Sequence, residues 1–111
     1  EEAITLLPDL DAGATGSMTG GGYPDGLRPI LDAYRAGRRE EAIERYAHWL
    51  PLINIENRQC GFLAAKALMK EGGIIACDLP RHPWPALHPE SRRMLLDAAR
   101  RLDVMALRWG R

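Results

Sequence analysis

Six of the chain's eleven glycines fall within fourteen residues, GATGSMTGGGYPDG at 13–26. This stretch restricts the fold more than any other. Gly13 to Thr19 is a run of small, uncharged residues around Met18, which suits a buried parallel strand where another backbone or a ligand comes close. Everything else reads as helix or connector, so a strand here has no ladder partner within the 111 residues. Unpaired backbone groups cost about 1–3 kcal/mol each when buried. The missing strands are therefore expected from residues outside this chain. The opening, EEAITLLPDL, carries no initiator Met and begins like a first helical turn, with Glu1 and Glu2 at the dipole-positive end.

Helical periodicity accounts for most of what remains. Ile4, Leu6, Leu7 and Leu10 fit a short helix despite Pro8. Leu27, Ile30, Leu31 and Tyr34 recur at helical spacing after Pro24, and Gly37 supplies a stop. A second helix follows in RREEAIERYAHWLPLIN, with Ile43, Tyr46, Ala47 and Leu50 on one face and Glu41 placed to pair with Arg45. Pro51 is expected to kink or end it. Cys60 to Met69 is apolar almost all round except for Lys66, which predicts a largely buried helix ending at Gly72 and Gly73. DLPRHPWPALHPE holds four of the eight prolines and reads as an extended surface connector pinned by Trp84. Met94, Leu95, Ala98, Ala99 and Leu102 form the stripe of a last helix opened by Pro89, and the tail VMALRWG is expected to dock.

Charge excludes several functions. Fifteen basic residues balance fifteen acidic ones, so no overall field draws the chain to nucleic acid or to an anionic membrane. No apolar run approaches the roughly 18 residues of a membrane span, and no basic segment leads into an apolar one at the N-terminus. The chain reads as cytosolic. Cys60 and Cys77 are too far apart for a CxxC redox pair or a zinc ribbon, which leaves two reduced thiols.

In its order of elements the chain resembles the C-terminal end of the dihydrodipicolinate synthase/N-acetylneuraminate lyase family, whose members are (β/α)8 barrels followed by a small helical domain. LLPDLDAGATGSMTGGG is similar to the family's seventh helix running into its eighth strand. PDGLRPILDAYRAGRREEAIERYAHWLPL resembles the eighth helix and the first helix of the appended domain. FLAAKALMKEGG is similar to the next helix, with Lys66 at a lysine commonly seen there, and HPESRRMLLDAARRL resembles the terminal helix. The fold class so implied is mostly α: residues 1–36 as the last helix–strand–helix of a TIM barrel and 37–111 as a helical domain. GATGSMTGGGYPDG and IENRQCGFLAAKALMKEGGI look most like the branch that dehydrates 2-keto-3-deoxy sugar acids, L-2-keto-3-deoxyarabonate among them.

The resemblance implies a lysine Schiff-base lyase that needs neither cofactor nor metal, acts on a small 2-keto acid and assembles as a homo-oligomer. Its reactive lysine and a helper tyrosine would lie upstream of Glu1, leaving this chain inactive alone. A synthase or keto-acid aldolase of the same family remains open, as does a small helical interaction module with no chemistry.

Barrel geometry puts the loop after strand eight at the mouth of the site. Met18 is then expected to match the family's apolar residue beside the keto acid, with Ser17, Thr19 and Gly20 beside it as substrate contacts. Glycines 20–22 would let backbone N–H groups approach a carboxylate or hydroxyls. A phosphate cradle competes, but neither GxGxxG nor GK[ST] is present. Lys66 and Lys70 are the only lysines, and a snorkelling or ion-paired amine describes them better than a nucleophile. Cys77, His82 and His88 are too loosely spaced for a metal site. The acids and arginines of residues 35–45 read as a solvated face. Trp49, Trp84 and Trp109 read as buried anchors, docking helices between subunits.

Overall fold

The computed structural model describes residues 3–109. Glu1 and Glu2, expected to open the first helix, and Gly110 of the tail lie outside the described residues. The first helix, α1 (Leu6–Asp11), buries Leu6, Leu7 and Leu10. It tolerates Pro8 because the N–H groups of a first helical turn have no partner within the helix.

Residues 14–20 form neither helix nor ladder, and no strand forms among the described residues. The strand expected at Gly13–Thr19 is thus an open segment in this chain, its residues exposed up to Met18. A lone extended segment has no neighbour with which to exchange hydrogen bonds, so its backbone turns to water.

The second helix, α2 (Pro24–Arg35), starts on proline, places Asp25 in its first turn and Arg35 in its last, and buries Leu27, Ile30 and Ala33. Both ends suit the helix dipole. Gly37, at φ +76, ends it in a Schellman turn: Gly37 N–H donates to Tyr34 O and Arg38 N–H to Ala33 O. The chain then doubles back as α3 (Arg39–Ile55), packed along α2.

Pro51 does not end α3, which runs on to Ile55. The proline is exposed, as is Ala47, whose carbonyl loses its helical donor, so water can replace that bond. The buried face of α3 also differs from the stripe expected. Ala42, Leu52 and Ile53 are fully buried, whereas Ile43, Tyr46 and Leu50 are half-buried and Ala47 is exposed. The helix meets α1, α2 and α5 on different sides, and no single stripe serves all three.

A π-helical turn, Glu56–Cys60, follows without a break and carries Glu56 and Cys60 into the interior. Gly61 then redirects the chain, so the buried helix expected from Cys60 begins only at Leu63. This helix, α4 (Leu63–Glu71), buries Leu63, Ala64, Ala65, Ala67 and Leu68. It ends at Gly72 and Gly73 as its sequence indicates, with Gly73 N–H on Lys70 O and Ile74 N–H on Met69 O.

The proline-rich connector leads to α5 (Pro89–Arg101), where the His88 imidazole Nδ1 accepts the Glu90 N–H. Leu95, Leu96 and Ala99 face the core, while Met94 is more exposed than its place in the stripe implied. A short α6 (Met105–Arg108) docks the tail, burying Val104, Ala106 and Leu107. Asp25, at the start of α2, accepts the Met105 N–H at 2.8 Å from 80 residues away. The backbone of α6 crosses so near Gly72 that a β-carbon there would lie 1.7 Å from Ala106 O. Among the described residues no helix is long and apolar enough to cross a membrane.

Candidate functional site

The glycine-rich segment is held at its two ends and open between them. At the upstream end Ala14 N–H donates to Asp9 O, and the Arg35 guanidinium reaches back from α2 to Thr15 O at 2.6 Å. Just before it, Asp11 accepts Arg39 at 2.6 Å and the Tyr34 hydroxyl at 2.9 Å. Arg39, and then Tyr34, hold the Asp11 carboxyl below its usual range, while Asp11 raises the Tyr34 phenol. Arg35 and Arg39 were expected on a solvated face. They are exposed, yet each anchors the segment that precedes Gly16, Arg35 at Thr15 and Arg39 at Asp11.

The downstream end rests on the helical core. A β-carbon on Gly20 would lie 2.9 Å from Glu56 Oε1 and 3.2 Å from Ala65 Cβ, and one on Gly22 would lie 2.9 Å from Leu68 Cδ1. A side chain at either glycine would have to push the end of Glu56 or of Leu68 aside. Of the candidate contacts, Thr19 is half-buried and donates to Gly20 O at 3.3 Å, Ser17 is exposed, and Met18 is 90% exposed. Ser17 and Met18 thus stand clear of the core, and Gly20 is seated on it.

Glu56 was missed by sequence reasoning. Among the described residues it is the charged side chain placed deepest, 1% exposed. Burial, and then the charge of Glu56, push the Cys60 thiol up to about 11. The sequence signal, an acid inside LINIENRQC, is weak, because the π turn that carries it inward has no local signature.

The other candidates disperse. Lys66 Nζ donates to Leu79 O at 2.8 Å, and Lys70 pairs with Asp78 at 2.7 Å, so both amines brace the connector. Arg92 also meets Asp78 at 3.0 Å; its partners, Lys70 first, hold that carboxyl below its usual range. Cys77 Sγ accepts the Leu79 N–H, and His88 caps α5. Among the described residues no three His, Cys, Asp or Glu side chains gather as a metal set. Trp49 is half-buried and stacks on Tyr23. Trp84 leans on Phe62 at 4.9 Å but stays exposed, and Trp109 is exposed too, so neither is buried within this chain.

Comparison with known proteins follows the same order of elements. L-2-keto-3-deoxyarabonate dehydratase of Azospirillum brasilense is 68% identical over 110 residues, which is 99% of this chain and 36% of that protein. The crystal structure of dihydrodipicolinate synthase from Rhodopseudomonas palustris matches with a TM-score of 0.78 and 29% identity, over 89% of this chain and 33% of its own. Sequence and fold both align this chain with the dihydrodipicolinate synthase family. It spans about a third of the length of each of these two, the C-terminal third of the dehydratase. A CTP synthase of Pelotomaculum thermopropionicum is 37% identical over 100 residues, 78% of this chain and 18% of that protein. No protein-family model matches the chain.

Proposed function

We propose that these residues belong to a lysine Schiff-base lyase that removes water from a 2-keto-3-deoxy sugar acid. The observation that carries the reading is the 68% identity to L-2-keto-3-deoxyarabonate dehydratase, sustained over 110 residues rather than confined to a motif. In this reading residues 1–36 complete a barrel and 37–111 are the helical domain beside it. The exposure of residues 14–18 favours it, since a strand awaiting its neighbours is open in their absence.

The chemistry requires an amine, an acidified C–H and a leaving hydroxyl. A lysine amine condenses with the C2 ketone, and water leaves. The iminium accepts electron density, so C3 gives up a proton, and the neighbouring hydroxyl departs as water once it is protonated. Hydrolysis of the imine returns the lysine. In this reading that lysine lies outside these 111 residues, which the engagement of Lys66 and Lys70 with the connector supports. Met18 supplies an apolar contact beside the keto acid, Ser17 and Thr19 offer hydroxyls, and the Gly20–Gly22 turn presents backbone N–H groups to the carboxylate. The chain alone is inactive. Two free thiols fit a cytoplasmic protein, and the exposed Met105 and Trp109 offer apolar surface to a homo-oligomer.

Borohydride trapping of the full-length protein with a 2-keto-3-deoxy acid tests the mechanism. Peptide mass mapping is expected to locate the reduced adduct on a lysine outside these residues. An adduct on Lys66 or Lys70, or none at all, would refute the assignment. Release of pyruvate and an aldehyde, in place of a dehydrated keto acid, would make the enzyme an aldolase.

A further inference from the structure

We propose that Glu56 is a positioning residue for the glycine rim, its buried carboxylate forming the seat on which the backbone of Gly20–Gly22 is held toward the pocket. The proposal rests on the reading of residues 17–20 as the edge of a keto-acid site. Between the Arg35 clamp on Thr15 and the start of α2, the rim meets the core where Gly20 faces Glu56 and Ala65 and Gly22 faces Leu68. The contact on the Gly20 side is made by a carboxylate oxygen, close enough that one methyl group on Gly20 would overlap it.

Gly20 packs on the end of the Glu56 side chain and on Ala65, so the length and shape of that side chain set how closely the rim approaches the core. Glu56 also opens the π turn, an irregularity frequently found at functional sites. A long helix, a π turn and a buried acid thus converge behind the one segment whose hydroxyls and N–H groups can meet substrate. The acid comes from the helical domain and the rim from the barrel, so the domain's contribution to the site is to set the height of the rim.

A double-mutant cycle in the full-length protein decides the point. Glu56→Ala and Gly20→Ala are each expected to lower kcat/KM by about tenfold or more, chiefly through KM, at a temperature where both variants are fully folded. In the double variant the methyl group occupies the space the carboxylate left, so the combined loss should not exceed the larger single loss. Glu56→Gln, which keeps the shape, should stay within about threefold of wild type by the same steric reasoning. Independently of activity, hydrogen exchange at residues 19–23 should quicken about tenfold in Glu56→Ala while residues 63–71 are unaffected. Where Glu56→Ala does not fold, Glu56→Asp, which withdraws the carboxylate by one methylene, completes the same cycle.

Multiplying single losses, unchanged exchange at 19–23, or losses that merely follow melting temperature would overturn the proposal. A wild-type protein that turns over no 2-keto-3-deoxy acid would overturn the functional reading instead. The exchange measurement would then still decide whether Glu56 seats the rim.

Discussion

Replacing Gly72 by alanine sets two physical effects against each other. Gly72 has φ −82 and ψ −1, a helical conformation open to any residue, so on backbone grounds alone alanine should stabilise by about 0.4–1 kcal/mol. The structure predicts the opposite sign. The new β-carbon would lie 1.7 Å from Ala106 O and 2.7 Å from its carbonyl carbon, and an ordinary contact needs roughly 3.3 Å. The backbones must separate by about 1.5 Å, more than a flexible side chain could absorb.

Overpacking of this kind costs about 1–3 kcal/mol. If α6 lets go entirely, Val104 and Leu107, at 0% and 5% exposure, set an upper bound of about 3–6 kcal/mol. Urea unfolding of the full-length protein reads the result: a loss of about 2 kcal/mol moves the midpoint by about 1 M. The decisive control is the same substitution in a protein ending at Leu102, where the obstruction is gone and alanine should become neutral or stabilising. Stabilisation in the full-length protein, or an equal loss in both backgrounds, would refute the reasoning.

Asp25→Ala should cost about 1 kcal/mol in the same assay by removing the acceptor at the Met105 N–H. Most of that should be recovered in Asp25→Asn, since Arg108 is 3.8 Å away and half exposed. Native alkylation at pH 8 should modify Cys77, which is exposed, and spare Cys60, whose thiol is buried and held near 11. Two labels per chain should appear only after denaturation, and early labelling of Cys60 would contradict its placement. Asp78, lowered by Lys70 and Arg92, has a folded pKa below its unfolded one. Its contribution is therefore complete above about pH 4 and is lost as pH falls through the folded value. Proteolysis of the 74–88 connector should accelerate over that acid range in wild type, and be fast and pH-insensitive there in Asp78→Asn.

The helices were legible where one face meets one neighbour. Leu27 and Ile30 announce α2, and Gly37 announces its end, because spacing and a left-handed stop are local properties. The inner face of α3 was not legible, since three elements share that helix and its apolar residues lie on several sides. Pro51 misled because the cost of a missing N–H depends on whether water reaches the freed carbonyl, which burial decides. The glycines mark where the 13–26 segment meets the core, at Gly20 and Gly22, but its supports were hidden. Arg35 and Glu56 lie 13 or more positions from Gly20–Gly22, and only tertiary packing brings them to that segment. Trp84 and Trp109 stay exposed within this chain, since their connector and tail supply little to bury them.

The bond from Asp25 to the Met105 N–H bears on how the chain is made. Synthesis proceeds from the N-terminus at about 5–20 residues per second, so the first turn of α2 leaves the ribosome several seconds before its partner exists. Until α6 emerges, Gly72 has no backbone across it and Asp25 has nothing to cap. Helix hairpins such as α2–α3 can form early from local contacts, but the bond from Asp25 closes only when residues 104–108 are free. A ribosome stalled before α6 has emerged would hold a nascent chain with its earlier helices formed and this latch open.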